Sequence, residues 1–210
     1  DYDGAWTLAG SARRSGIGLH SGHEVAVLLH PWPDAGVWVS WSGDSKPPVR
    51  LQPSQVRDSQ LCTTLELGDR RLSTVEHLLA ALAGCGLTHV HLEVDGGEVP
   101  LLDGSAQGWV EAIAEVGITP AGTPAASRPV LDGPVTLHRG NSVITATPAE
   151  QFTLVGMIDF PQAAIGRQQW TVALSPERFV AEIAPARTFG FREQVEQLRA
   201  AGLIQGGALD

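Results

Sequence analysis

Apolar residues recur at helical spacing in the segment that ends at Gly84. Their spacing of i, i+3, i+4 and i+7 predicts a helix over 74–83 with one face in a core. A glycine directly after such a pattern is typical of a helix C-terminus. At about 100° per residue, His77 then points nearly opposite the core and Glu76 lies on its flank. The apolar positions are Val75, Leu78, Leu79 and Leu82.

Runs of apolar residues, many of them alternating with polar ones, predict strands on both sides of this helix. In the first half of the chain the predicted strands are 6–12, 24–29, 37–41, 61–67 and 88–94. A second helix is predicted over 106–116, with Ser105 as its N-cap. The second half repeats the plan, with strands at 134–138, 142–147, 152–158 and 168–174. A helix that begins at Ser175 and Pro176 follows, and then an apolar stripe that ends at Gly202.

The segment 120–129 holds three prolines and small residues besides Arg128, which is typical of a linker. Strands followed by helices, twice over, predict an α+β fold. We expect two similar domains, 1–119 and 130–210, each a mostly antiparallel sheet layered on helices. The second domain is expected to be incomplete, because its last residues resemble the entry to another strand.

Composition excludes several classes of protein. The net charge is −9 and no cluster of Lys or Arg exists, which argues against nucleic-acid binding. The two cysteines provide no disulfide framework and fit a reducing cytoplasm. No apolar run approaches the roughly 20 residues that span a bilayer. The chain begins with Asp rather than Met, so we expect a fragment.

Glu76 and His77 place an acid beside an imidazole on the first turn of the predicted helix. A metal hydrolase uses such a pair as general base and metal ligand. The partial positive charge of a helix N-terminus favours the neutral imidazole, which is the form that binds metal. A second interpretation of Glu76 stays open, because Ser73 and Glu76 have the spacing of a capping box.

A second candidate metal site lies on one strand. His89, His91 and Glu93 alternate with apolar residues and therefore share one face. Two histidines and a carboxylate can bind a metal. The same pattern is typical of the solvated face of an antiparallel strand, and we favour that interpretation.

Three loops carry further candidates. Asp103 lies in an Asp-Gly-Ser turn, which either leads into a helix or contributes to a site. His20 lies in a glycine-punctuated loop. Thr188 and two phenylalanines follow Pro185, either as a turn between helices or as a polar group and walls for an apolar ligand. Cys62 is better explained as a small buried hydrophobic residue than as a ligand.

Five motifs together resemble the UDP-3-O-acyl-N-acetylglucosamine deacetylase family. In chain order they are GIGLHSG (16–22), LCTTL (61–65), STVEHLLAALAGCG (73–86), EVPLLDGSA (98–106) and ARTFGF (186–191). The resemblance implies a cytoplasmic zinc enzyme of Gram-negative bacteria that takes the committed step of lipid A synthesis. It also implies a small-molecule UDP-sugar lipid as substrate. We expect a monomer.

By matching position, the resemblance implies that Glu76 is the general base and His77 a zinc ligand. It also implies that Thr188 hydrogen-bonds the substrate near the zinc. The residues that would line the site or the acyl-chain region are Phe189, Gly190, Phe191, Leu19, Cys62, Asp103, Val195 and Ile204.

The family has a further segment after the turn that matches Gly206 and Gly207. That segment carries a second histidine and an aspartate as zinc ligands, and later a catalytic histidine. They have no counterpart in this sequence, so we expect a C-terminally truncated chain that is inactive as given. An alternative is a non-catalytic carbohydrate- or lipid-binding protein that kept the fold and lacks the full metal site.

Overall fold

The computed structural model describes residues 2–57 and 61–206. It divides into two compact units, one built from 1–126 with 176–210 and the other from 127–175. The predicted α+β class with mostly antiparallel sheets is confirmed. The predicted domain boundaries, and the similarity of the two domains, stay predictions.

Among its described residues the first unit contains ten strands, four α-helices and a 3₁₀ helix over Pro53–Gln55. The strands are β1 (Trp6–Leu8), β2 (Ala12–Ile17), β3 (Glu24–Pro31), β4 (Gly36–Trp41), β5 (Val49–Arg50), β6 (Val56–Arg57), β7 (Thr64–Leu67), β8 (Arg70–Ser73), β9 (His89–Val94) and β10 (Ile118–Pro120). The helices are α1 (Glu76–Gly84), α2 (Gln107–Val116), α3 (Pro176–Arg178), which continues as a π-helical turn over Phe179–Ile183, and α4 (Arg192–Ala200).

Strand β9 is the centre of the main sheet. It pairs antiparallel with β3, parallel with β4 and, at one residue, parallel with β1. Its alternating apolar side chains, Val90, Leu92 and Val94, are at most 1% exposed. The buried faces of the helices, including Leu78 of α1 and Trp109 of α2, complete the core. The period-2 pattern of this strand therefore gives the buried face that the sequence predicts.

A smaller antiparallel sheet, β6–β7–β8, leads directly into α1. Thr64 pairs with Ser73 across β7 and β8. Ser73 also forms a parallel bridge to Glu98, where the chain has left β9. The start of α1 is thus fixed between two segments that are distant in sequence.

The second unit consists of two antiparallel hairpins, β11 (Val135–Arg139) with β12 (Ser142–Ala146) and β13 (Thr153–Asp159) with β14 (Arg167–Ala173). The predicted hairpin around Gly140 is confirmed. Gly140 has a φ of 59°, a left-handed conformation that glycine adopts without steric cost.

Several elements differ from the prediction. Helix α1 begins two residues later than predicted, because Thr74 has a φ of 60° and breaks the helix. The predicted strand 6–12 is wrong as one element, because β1 ends at Leu8 and β2 begins at Ala12. The rest of β2 was not predicted, and its pairing is set by β3 rather than by an apolar pattern of its own. Strand β10 begins before the predicted linker and ends on its first residue, Pro120, pairing with β1. Among the described residues, no helix is both long enough and apolar enough to span a membrane.

Candidate active site

Glu76 is the first residue of α1 and is half-buried. Its Oε2 accepts the backbone N–H of Thr63 at 2.9 Å. Ser73 makes other bonds: its N–H donates to the carbonyl of Gly97, and its Oγ lies 3.0 Å from Oγ1 of Thr64. The capping-box interpretation is therefore wrong, because Ser73 belongs to β8 and no side chain caps α1. The carboxylate of Glu76 instead joins the end of the 61–63 loop to the helix.

His77 follows Glu76 on the first turn of α1 and is half-buried. The same helix buries Leu78 and Leu82 completely, so the imidazole lies outside the main apolar stripe, as the periodicity predicts. Leu79 is half-buried rather than fully in the core.

The described residues do not by themselves make up a zinc site. None of them form a group of three or more His, Cys, Asp or Glu side chains that could hold a metal ion. A catalytic zinc takes three protein ligands and leaves a position for water. Of the predicted ligands, the described part of the chain provides only His77.

A strained residue, Thr74, lies two positions before the start of α1. Thr74 is 2% exposed and has a φ of 60°, an uncommon conformation for a β-branched residue. Its Oγ1 donates to Oε1 of Glu98 at 3.0 Å. Leu61 and Leu102 have similar φ values of 60° and 56°, and they precede Cys62 and Asp103. Among the described residues, these three positions account for every non-glycine residue with positive φ, and each lies one or two positions before a predicted site residue.

Glu98 is a buried acid, only 4% exposed. It accepts the N–H of His20 at 2.9 Å and the N–H of Ser21 at 3.0 Å, in addition to the hydroxyl of Thr74. Burial alone would raise the pKa of this carboxyl group. The hydrogen bonds from His20, Ser21 and Thr74 outweigh burial and hold the pKa below its usual value, so the group is ionised at neutral pH.

Loop 18–22 contains Leu19 and His20. The carbonyl of Leu19 accepts the N–H groups of Gln205 and Gly206 at 3.1 and 2.9 Å. Nδ1 of His20 donates to the carbonyl of Leu203 at 2.9 Å. Ile204, 7% exposed, lies between two residues that bond to this loop, and Leu19 is half-buried.

The turn before α2 contains Asp103. Its carboxylate accepts the N–H and the Oγ–H of Ser105 at 3.0 and 2.7 Å. Partial burial raises the pKa of Asp103, but these bonds and the nearby charge of Arg187 bring it below its usual value. Ser105 is not the N-cap itself; its Oγ accepts the N–H of Gln107 from one position earlier.

Thr188 is anchored to the same turn. Its N–H donates to the carbonyl of Gly104 at 2.8 Å, and Nε of Arg187 donates to the carbonyl of Asp103 at 2.7 Å. The structure thus brings together the Asp-Gly-Ser and Ala-Arg-Thr-Phe segments. The Thr188 side chain is exposed and its hydroxyl is available at this edge of the first unit.

The two phenylalanines after Thr188 contact each other edge to face, with ring centroids 6.0 Å apart. Phe189 is 59% exposed, which is unusual for so large an apolar side chain. A Cβ on Gly190 would lie 3.1 Å from Cγ2 of Val195, so the glycine allows the first turn of α4 to approach. Phe191 is half-buried, so only one ring of the pair is largely exposed. Their role as walls for an apolar ligand stays a prediction. Cys62 is half-buried, with Sγ 3.7 Å from Oγ1 of Thr64.

The second candidate metal site receives no support. His89 is fully buried, with its ring nitrogens 2.8 Å from Oγ1 of Thr88 and 3.0 Å from Oγ1 of Thr123. For His89 the interpretation as a solvated strand face is therefore wrong. His91 is half-buried and lies 2.8 Å from Oγ of Ser40. Burial lowers the pKa of both histidines, so both are neutral hydrogen-bonding groups of the sheet.

Sequence reasoning did not identify Glu98 and Thr74. Both residues lie inside motifs that it did quote, but nothing in their spacing indicates that they meet. One signal was available in the sequence: Glu98 directly precedes the apolar run 99–102. An acid in apolar surroundings is rarely buried unless it has hydrogen-bonding or charged partners, so this position predicts partners for Glu98.

Known proteins resemble this chain over nearly its whole length. The sequence model of the family described as UDP-3-O-acyl N-acetylglycosamine deacetylase matches residues 5–210. A UDP-3-O-acyl-N-acetylglucosamine deacetylase from Thermosynechococcus vestitus is 46% identical over 208 residues, which cover 97% of this chain and 71% of that protein. The enzyme of the same name from Trichormus variabilis is 43% identical over 211 residues, covering 97% of this chain and 75% of that protein.

The α+β fold and matches over nearly the whole chain place this protein among the deacetylases, which are hydrolases. It belongs to the UDP-3-O-acyl N-acetylglycosamine deacetylase family.

Proposed function

We propose that this protein, in its complete form, hydrolyses the acetamide of UDP-3-O-acyl-N-acetylglucosamine and releases acetate. This reaction is the committed step of lipid A synthesis. The observation that carries the proposal is the state of Glu76: it does not cap its helix, it accepts one backbone N–H, and it stands beside a half-buried imidazole. Family membership supports the choice of substrate.

Glu76 acts as the general base in this proposal. It accepts a proton from the attacking water, whose oxygen then bonds to the acetamide carbon. The bond from Thr63 to Oε2 fixes the orientation of the carboxylate. The opposite oxygen, Oε1, is the natural acceptor for the proton.

His77 is proposed as one ligand of a zinc ion. A zinc ion in such a site supplies Lewis-acid polarisation of a carbonyl group and of a water molecule. The remaining ligands would be the histidine and aspartate that the resemblance implies, and they have no counterpart among the described residues. A leaving amine also needs a proton, which the resemblance assigns to a further histidine.

Thr188 is proposed to hydrogen-bond the substrate and to help stabilise the oxyanion that forms on the acetamide. Phe189, Gly190 and Phe191 would line the site beside it. The acyl chain would contact the apolar surroundings of Leu19, Cys62, Val195 and Ile204, and Asp103 would lie at the edge of the substrate region. We further propose that the protein acts as a monomer in the cytoplasm of a Gram-negative bacterium.

The alternative function is binding of a carbohydrate or lipid without catalysis. It would give Glu76 and His77 no catalytic role. The match over 97% of the chain to enzymes named as deacetylases favours catalysis. Acetate release distinguishes the two functions.

The test measures acetate release from UDP-3-O-acyl-N-acetylglucosamine by the protein produced from its full coding sequence. We expect turnover that a zinc chelator abolishes and added zinc restores. Glu76→Ala is expected to lose at least a hundredfold in kcat. The matched control is Glu115→Ala, because Glu115 is an exposed acid on α2 that pairs with Arg14. Substrate binding without acetate release by the wild-type protein would favour the alternative.

A further inference from the structure

One buried carboxylate connects three segments of the first unit. Glu98 accepts hydrogen bonds from the backbone of His20 and Ser21 and from the hydroxyl of Thr74, all between 2.9 and 3.0 Å. The backbone on either side of Glu98 is also fixed, because Gly97 accepts from Ser73 and Val99 donates to Ser73. The carboxylate therefore cannot move independently of β8 and of the start of α1.

Thr74 determines the direction in which the chain enters α1. A β-branched residue with a φ of 60° is strained, and such strain persists only where surrounding contacts impose it. The bond from Oγ1 of Thr74 to Glu98 is such a contact. Two residues later the chain reaches Glu76, so a change at Thr74 would rotate or shift the first turn of the helix, together with Glu76 and His77.

Loop 18–22 is shaped around the same carboxylate. A Cβ on Gly18 would overlap Oε2 of Glu98 and Oγ of Ser21, so this position admits only glycine while the carboxylate is in place. On its other side the loop holds Gln205 and Gly206 through the carbonyl of Leu19. A Cβ on Gly206 would in turn overlap the carbonyl of Gly18. Contacts thus run from α1 through Glu98 to the segment at 203–206.

A neutral side chain would not serve equally well at this position. All the groups that bond to this carboxylate are donors: the N–H groups of His20 and Ser21 and the hydroxyls of Ser21 and Thr74. An ionised carboxylate accepts at both oxygens. An amide would turn an NH₂ group toward at least one of these donors. The ionised form is thus specifically matched to its surroundings.

We propose that Glu98 is a positioning residue for deacetylation: through Thr74 it holds Glu76 and His77 in register with loop 18–22. The proposal rests on the proposed function, because it assumes that Glu76 and His77 are the reacting pair. It does not require Glu98 to contact the substrate.

The test compares Glu98→Gln with the wild-type protein made from the full coding sequence. We expect kcat to fall at least tenfold, since a misplacement of about 1 Å at reacting groups costs up to a hundredfold. KM is expected to stay within threefold and the zinc content per chain to stay unchanged. Hydrogen exchange at the amides of His20 and Ser21 is expected to accelerate at least tenfold. Glu115→Gln is the matched control and should retain the wild-type kcat.

A folded Glu98→Gln protein with full zinc content and a kcat within twofold of wild type would overturn the proposal. A raised KM with unchanged kcat would also overturn it, by assigning Glu98 to substrate binding. A kcat loss that equals the unfolded fraction would reduce the role of Glu98 to stability. In each case an active wild-type protein leaves the proposed function intact, whereas an inactive wild-type protein would refute that function first.

A second pair of variants decides the matter if Glu98→Gln does not fold. Thr74→Ala and Thr74→Ser both keep a Cβ at the strained position and differ only in the hydroxyl group that donates to Glu98. We expect Thr74→Ala to lose at least fivefold in kcat and Thr74→Ser to recover most of that loss. Equal kcat values for the two variants would overturn the proposal.

Discussion

Glu76 and Thr63 are joined by a 2.9 Å hydrogen bond from a backbone N–H to a side-chain carboxylate. The bond links the first residue of α1 to a loop 13 positions earlier. This bond does not involve the second carboxylate oxygen, Oε1. In a capping box, the Glu76 carboxylate would bond to a backbone N–H at the start of its own helix. It bonds to Thr63 instead, which argues against the capping box and leaves the interpretation as a general base.

We expect Glu76→Gln to separate catalysis from stability. The amide oxygen of Gln can still accept the N–H of Thr63, so the free energy of unfolding should change by less than about 0.5 kcal/mol. The general base is lost, so kcat should fall at least a hundredfold. Denaturant unfolding and acetate release measure the two quantities on the same preparation. A kcat near that of wild type would exclude Glu76 as the base.

Ser73 is expected to couple to Thr64 and not to Glu76. In a double-mutant cycle, Ser73→Ala and Thr64→Val should show a coupling free energy of about 0.5–1.5 kcal/mol, because they remove the two partners of one hydrogen bond. The corresponding cycle between Ser73→Ala and Glu76→Ala should give a value near zero. Urea unfolding of the variants measures both. The reverse result would restore the capping box.

His89 should make the protein less stable in mild acid. Burial lowers the pKa of His89 in the folded state, so between that value and about 6.5 the unfolded chain binds more protons. The stabilisation is complete above pH 6.5 and is lost progressively as the pH falls toward the folded-state pKa. The slope of unfolding free energy due to this residue is at most about 1.4 kcal/mol per pH unit.

The measurement for His89 compares unfolding free energies between pH 7.5 and 5. His89→Gln should flatten the dependence on pH, whereas Thr136→Gln should leave it unchanged because Thr136 is an exposed residue of β11 that does not titrate in this range. His91, whose pKa is also lowered by burial, still contributes in both variants. Equal slopes for His89→Gln and wild type would contradict the prediction.

Gly84 should not tolerate alanine, although helix propensity alone favours the change by about 1 kcal/mol. A Cβ at this position would overlap the ring of Phe179, which is 4% exposed on the π-helical turn. Overpacking of this kind costs about 1–3 kcal/mol, which exceeds the gain from propensity. We therefore expect Gly84→Ala to lower the unfolding free energy.

The neighbouring Ala83 provides the control for Gly84. It is exposed, so Ala83→Ser should change the unfolding free energy by less than about 0.5 kcal/mol. A stabilised Gly84→Ala protein would show that propensity decides at this position and that Phe179 moves aside without cost.

The sequence predicts the parts of this fold that carry a strong local period. Helix α1 and strand β9 have uninterrupted patterns, so their buried faces could be identified in advance. Strand β2, with two arginines and a glycine, has no such pattern and depends on pairing with β3. The register between β2 and β3 is therefore determined by contacts between segments and cannot be read from the sequence of β2 alone.

The candidate site was predictable in its motifs and not in its connections. The resemblance identified the segments that contain Glu76 and Thr188. The bonds from Glu98 to His20 and to Thr74 join residues 78 and 24 positions apart, and local spacing carries no information about such contacts. The left-handed conformation of Thr74 was equally hidden, because a β-branched residue does not predict it.

His77 carries the central claim, since the zinc-dependent reaction that we propose needs the imidazole on the first turn of α1. The most direct measurement is the zinc content and the acetate-release rate of His77→Ala, made from the full coding sequence, beside wild type and the exposed control His138→Ala. We predict about one zinc per chain in wild type and control, and loss of both zinc and activity in His77→Ala. Full activity in the His77→Ala protein would contradict the account.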